Sequence, residues 1–138
     1  MSEWVIDASL ALQWFLEDEA DRNYSLAILR GLADNEAVVP ILWYYEIGNG
    51  LIMAHRRKRI TFQQLTEFLN RLERLPIRSS QQGPAAIYKL PTLAQAHGLT
   101  NYDAAYLEVA MRLHLPLATN DKSLKQAARA ANVTLVRI

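Results

Sequence analysis

The stretch Trp4-Val5-Ile6-Asp7-Ala8-Ser9 decides the fold. Three apolar residues in succession, with no polar alternation, read as a parallel strand buried on both faces. Asp7 stands where that strand ends, and Ala8-Ser9 turns the chain directly into a helix. In open α/β sheets, ligands bind at this carboxyl end of the strands.

Working outward, similar short apolar runs fall at residues 37–39, 75–77, 115–119 and 133–136. Helical patterns separate them, at residues 9–16, 24–32, 42–58, 62–74, 101–114 and 122–130. Strands alternating with helices predict βαβ units and a parallel sheet, hence a three-layer α/β fold. Thr61 is placed to cap the helix that follows it. Pro91 is expected to break the helical run between residues 85 and 96, and Gly98 to close it as a C-cap. The polar stretch 79–84 is too short to separate two cores, so residues 1–138 are expected to form one domain.

Composition narrows the function. A chain of 138 residues with 51% hydrophobic and 21% charged content is an ordinary globular protein. The formal net charge of +1 gives no bulk field for nucleic acid, so such binding has to rest on local patches. There is no cysteine, which excludes disulfides, thiolate nucleophiles and zinc ribbons. No stretch approaches the ~20 apolar residues of a membrane span, and no basic segment leads into a signal core. A soluble, cytoplasmic location is the expectation. Neither a glycine-rich phosphate loop nor a serine in a nucleophile elbow is present.

Four acids stand out. Asp7 reads either as a cap for the helix after it or as a central metal ligand, with Ser9 ordering the turn. Glu46 shares a stripe with Leu42, Asn49, Gly50 and Met53, which is not a solvated face. Gly48 and Gly50 in the same helix each cost about 1 kcal/mol relative to alanine, which suggests close approach of another group. Asp103 lies roughly 140–180° around its helix from the polar pair Glu108 and Arg112, so it should point inward. Thr100 and Asp103 also have the spacing of a capping box. Asp121 follows a strand end and either caps the next helix or stands beside Asp7 where the sheet order reverses, oriented by Thr119 and Asn120. Two carboxylates ~4 Å apart repel by about 4 kcal/mol at an effective dielectric of 20. Four together therefore imply protonation or bound cations, and oxygen donors favour magnesium or manganese. That is the donor set of metal-assisted phosphodiester hydrolysis.

Four motifs in order, Val5-Ile6-Asp7-Ala8-Ser9, Glu46-Ile47-Gly48-Asn49, Tyr102-Asp103-Ala104-Ala105-Tyr106 and Ala118-Thr119-Asn120-Asp121-Lys122-Ser123-Leu124, resemble those of PIN domains. More narrowly, the chain resembles VapC-type toxins of type II toxin–antitoxin pairs. The resemblance implies a five-stranded parallel sheet of order 3-2-1-4-5 flanked by helices. It also implies a magnesium- or manganese-dependent endoribonuclease acting on RNA, a cognate antitoxin, and a homodimer. Asp7, Glu46, Asp103 and Asp121 match the family's four acids, and Thr119 its nearby hydroxyl.

Arg56-Arg57-Lys58-Arg59 ends the helix that carries Glu46. It reads either as cations suited to a helix C-terminus or as an RNA phosphate contact, and His55 shares both readings. His97 and His114 have no ligand-like spacing. Leu12, Trp14, Phe15 and Leu16 read as core, with part of that surface open to an antitoxin helix by family analogy. Two competing functions remain: a phosphohydrolase for small substrates, and a non-catalytic RNA- or protein-binding module using the same groove.

Overall fold

The computed structural model describes all residues 1–138. Four parallel strands, β1 (Glu3–Ile6), β2 (Glu36–Val39), β3 (Ile77–Ser79) and β4 (Leu117–Ala118), form a sheet of order β3-β2-β1-β4. The chain builds outward from β1 to β3, then returns to the other side of β1. The switch point therefore lies between β1 and β4, and Asp7 and Asp121 follow those two strands.

Eight helices connect and cover the sheet: α1 (Ala8–Leu12), α2 (Asn23–Gly31), α3 (Leu42–Arg56), α4 (Phe62–Glu73), α5 (Pro84–Tyr88), α6 (Leu90–His97), α7 (Asn101–Leu113) and α8 (Lys122–Ala130). Helix α3 packs against α1 and α4, whereas α7 packs on β1 and β4 and against α6 and α8. The main core is continuous from Trp4 to Val136 and includes Trp14, Phe15 and Leu16. Val5, Ile6, Val38 and Val39 are fully buried, as an unbroken apolar run in a central strand requires. Burying each such side chain contributes roughly 1.5–3 kcal/mol.

Several helix ends follow local chemistry. Thr61 and Gln64 form a reciprocal capping box at α4. Gly98 closes α6 in the left-handed region at φ 64°, where a side chain would be strained. The break between α5 and α6 falls at Lys89 and leaves Pro91 in the first turn of α6, where its missing N–H costs nothing.

Three expectations need correction. The sheet has four strands, not five: residues 133–136 run beside β4 but share only one bridge, Leu117 to Leu135. Leu117 alone serves that side, donating to the Thr134 carbonyl and accepting from the Val136 N–H, whereas Pro116 before it faces β1, its carbonyl accepting from the Val5 N–H. Strand β3 begins at Ile77 rather than Leu75 because Pro76, which faces β2, can accept from Ala37 but cannot donate. Of the two glycines in α3, only Gly50 is crowded: an added Cβ would meet Leu12 Cδ1 at 2.4 Å, while Gly48 faces open space.

Candidate active site at the carboxyl edge of the sheet

Asp7 is fixed before anything else in the site. It leaves β1 in extended conformation and caps α1, Oδ1 accepting from the Ser9 N–H at 3.1 Å. Its Oδ2 accepts from two hydroxyls, Ser9 Oγ at 2.7 Å and Thr119 Oγ1 at 2.8 Å. Only 4% of Asp7 is exposed, and only 1% of Thr119. The Thr119 hydroxyl also accepts from the Asp121 N–H at 3.0 Å, so one oxygen ties the ends of β1 and β4 together. Asp121 caps α8, its Oδ2 accepting from the Leu124 N–H at 2.8 Å.

Glu46 and Asp103 approach from two helices. Glu46 sits in the second turn of α3, and the buried Tyr106 hydroxyl donates to its Oε1. Asp103 lies in the first turn of α7, its backbone N–H donating to Thr100 Oγ1 at 3.1 Å. A cleft of about 280 Å³ is lined by Asp7, Ala8, Ser9, Leu12, Glu46, Asn49, Asp103 and Asp121. Capping and site-lining are thus not alternatives for Asp7 and Asp121; each side chain does both.

The electrostatics follow from this crowding. Burial raises the Asp7 carboxyl above the usual range, with the Asp121 charge adding, against the lowering hydrogen bonds from Ser9 and Thr119. Glu46 is raised by burial and by the Asp7 and Asp103 charges, against the Tyr106 hydrogen bond. Asp103 is raised by burial, then by Asp121 and Asp7. Burial and the Glu46 carboxylate push the Tyr106 phenol up, which keeps it a donor. Burial is the main cause at all three acids, and the repulsion among their charges adds to it.

The PIN domain family profile matches residues 4–130. The chain belongs to the PIN domain family. Ribonuclease VapC1 of Mycobacterium tuberculosis is 30% identical over 128 residues, 92% of each chain. The crystal structure of PAE2754 from Pyrobaculum aerophilum is 26% identical and has a TM-score of 0.62, covering 92% of this chain and 87% of that one. The structure of VapBC2 from Rickettsia felis bound to a DNA fragment from their promoter has a TM-score of 0.64 at 16% identity, covering 97% of both chains. That last likeness is one of fold.

The cleft's donors are hard carboxylate oxygens, which suit magnesium or manganese. As they stand, no three acidic or imidazole side chains are close enough to hold an ion. Fit therefore requires side-chain rotation. Glu46 and Asp103 are only part-buried, Glu46 is held at Oε1 alone, and the Asp103 side chain interacts with no hydrogen-bonding group but the Thr100 hydroxyl, so few bonds oppose their turning. The residues fit the group on chemistry, with Asp7 as the fixed point.

The other expected residues divide. Ser9 orders the Asp7 turn as expected, and Asn49 lines the cleft. Asn120 does not orient Asp121; its amide donates to Gln13 Oε1 at 3.1 Å, because the side chain points out of the sheet edge towards the end of α1. Thr119 bonds the Asp121 backbone, not its carboxylate. Arg59 is not free for phosphate: it forms a bidentate pair with Asp18 at 2.8 and 2.6 Å and reaches Glu19 at 3.2 Å. Arg56, Arg57 and Lys58 stay exposed at the far end of α3, roughly 15 Å along the helix from Glu46. His55 Nδ1 lies 3.2 Å from the Ile60 carbonyl.

Tyr106 is the site residue that sequence reading passed over. Its signal was its place three residues after Asp103, on the same helix face. A tyrosine there reads as core, and it is core: only its hydroxyl reaches the site.

Proposed function

We propose that this PIN domain is a metal-dependent endoribonuclease and the toxin of a toxin–antitoxin pair. The observation that carries the reading is the convergence of Asp7, Glu46, Asp103 and Asp121 on one cleft at the switch point of a parallel sheet. Its kinship with a protein named ribonuclease VapC1 supports RNA as the substrate class. We read residues 1–138 as one domain, consistent with a main core drawn from both ends of the chain.

Asp7, Glu46, Asp103 and Asp121 would hold Mg2+, or Mn2+ in its place. When bound there, the ion supplies Lewis acidity at the phosphate and neutralises charge that develops during hydrolysis. The protein's own part is positional. Ser9 and Thr119 hold both oxygens' geometry at Asp7, and Tyr106 holds Glu46 by one oxygen and leaves Oε2 to the cleft. Asn49 supplies an amide at the rim. The reaction is addition of water to an RNA phosphodiester with departure of a ribose oxygen.

A cognate antitoxin is the protein partner in this reading, and a homodimer the assembly of the toxin. No helix is long and apolar enough to cross a membrane. The test is incubation of a total RNA pool with purified, antitoxin-free protein and Mg2+ or Mn2+. Discrete fragments that vanish with EDTA and with Asp7→Asn are the expected result. Folded protein that yields no metal-dependent fragments would overturn the reading.

A further inference from the structure

A second cleft, of about 610 Å³, is lined by Thr119 and Asn120, the two residues that precede Asp121 of the acidic cleft. Thr119 lines the second cleft while its hydroxyl holds Asp7, and Asp121 lines the first. The second cleft runs between α8 and the segment that follows it, and its charged lining is Lys125, Arg129 and Arg137. No carboxylate lines it, and none of these three cations takes part in an ion pair.

Most of the chain's 15 Lys and Arg have no carboxylate partner, so what sets these three apart is that they gather around one concavity whose lining holds no acid. Arg59, Arg78 and Arg112 all have carboxylate partners. Three cations left unpaired around one concavity repel each other and concentrate positive potential there. Lys125 and Arg129 follow Asp121 at i+4 and i+8, on one face of α8. They stand about 6 and 12 Å along the helix axis from it. A line of cations therefore leads away from the acids.

We propose that this cleft binds the phosphate backbone of single-stranded RNA to one side of the phosphate at the acidic site. The inference rests on the ribonuclease reading above and names its substrate more closely. A polyanion is the ligand that satisfies unpaired cations in a row, and its next phosphates must pass close to a scissile one. Asp7 is buried at the base of a cleft of about 280 Å³, which an unpaired, splayed strand can enter more readily than the rigid backbone of an A-form duplex. The site also replaces residues 56–59 as the surface for RNA, since Arg59 is occupied and α3 ends remote from Glu46.

The test is binding of a short, dye-labelled, unstructured oligoribonucleotide across a salt series, in EDTA and in the Asp7→Asn background so that the probe survives. Each phosphate contact on a single strand contributes a slope of about 0.7 in log K against log salt. Lys125→Gln, Arg129→Gln and Arg137→Gln together should lower the slope by about 2 and weaken binding roughly a hundredfold near 0.1 M salt. The charge-matched control is Arg30→Gln, Arg71→Gln and Arg74→Gln, at the ends of α2 and α4 that lead into the amino ends of β2 and β3. It should leave the slope unchanged. Should the triple variant not fold, Arg129→Gln and Arg137→Gln singly, both exposed, should each lower the slope by about 0.7. An unchanged slope, or an equal loss in the control, overturns the proposal. The ribonuclease reading is decided by a different readout, metal-dependent cleavage by the wild-type chain, so the two can fail separately.

Discussion

Thr119 Oγ1 donates to Asp7 Oδ2 at 2.8 Å across the switch point of the sheet. The same oxygen receives the Asp121 N–H, so the positions of two acids depend on one buried hydroxyl. Valine has nearly the shape of threonine without the hydrogen bonds. Thr119→Val should lower RNA cleavage about tenfold, from the loss of a bond to a charged group worth ~1.5–3 kcal/mol. Thr119→Ser should keep most of it. Equal activity in the valine and serine variants, measured with the same RNA substrate, would show that the hydroxyl positions nothing.

Tyr106→Phe removes the donor to Glu46 and leaves the packing of α7 intact. Partners of this kind typically change metal affinity by about 10–100-fold. The expected outcome is a higher Mg2+ requirement for cleavage with little change in maximal rate, read from a metal titration. A titration curve that superposes on wild type would remove Tyr106 from the site.

Asp7→Asn should abolish cleavage and raise the metal-free melting temperature near pH 7. Burial disfavours the Asp7 charge, and an uncharged amide of the same shape avoids that cost and the repulsion from Asp121. Thermal melts of both proteins in EDTA decide it; a lower midpoint in the variant would mean that the carboxylate's hydrogen bonds outweigh its burial.

The metal-free protein should lose stability as pH rises from about 4 towards neutrality. Asp7, Glu46 and Asp103 all have folded-state values above their unfolded ones. Between those values the folded state binds more protons than the unfolded chain, so the stability slope with pH is negative there. Their contribution is fully present below the unfolded values and is lost as pH rises through the raised ones. Saturating Mg2+ should flatten the slope, and melts across pH with and without EDTA measure it.

Glycine positions give a test of packing alone. Gly48→Ala should stabilise by about 1 kcal/mol, because the position is helical and opens on empty space. Gly31→Ala should destabilise by about 1–3 kcal/mol, since its Cβ would come within 2.5 Å of the Trp4 indole, which is buried and rigid. Chemical denaturation separates the two.

The strand–helix alternation, the extent of α8 and the elements that carry the four acids were all legible in the sequence, because each depends on local pattern: apolar runs, capping residues and periodicity. The reduced fifth strand was not, since residues 133–136 read as a strand as well as β2 does. What limits them is the partner, a β4 of two residues that offers them only Leu117. Asn120 and Tyr106 show the same division. A side chain's type is local, but whether Asn120 reaches Asp121 or Gln13, and whether Tyr106 reaches Glu46, depends on chain segments up to 107 residues apart.

Charge gives the clearest case. Four consecutive basic residues at 56–59 are conspicuous in sequence, while Lys125, Arg129 and Arg137 are scattered and pass unnoticed. Folding brings Asp18 and Glu19 onto Arg59 alone of the four, and gathers the scattered three around one cleft without a carboxylate. Sequence by itself determined which groups carry charge and which elements bear them. Only the tertiary structure decided which charges are neutralised, because Coulomb interactions depend on distance in space and fade within about 10 Å in salt.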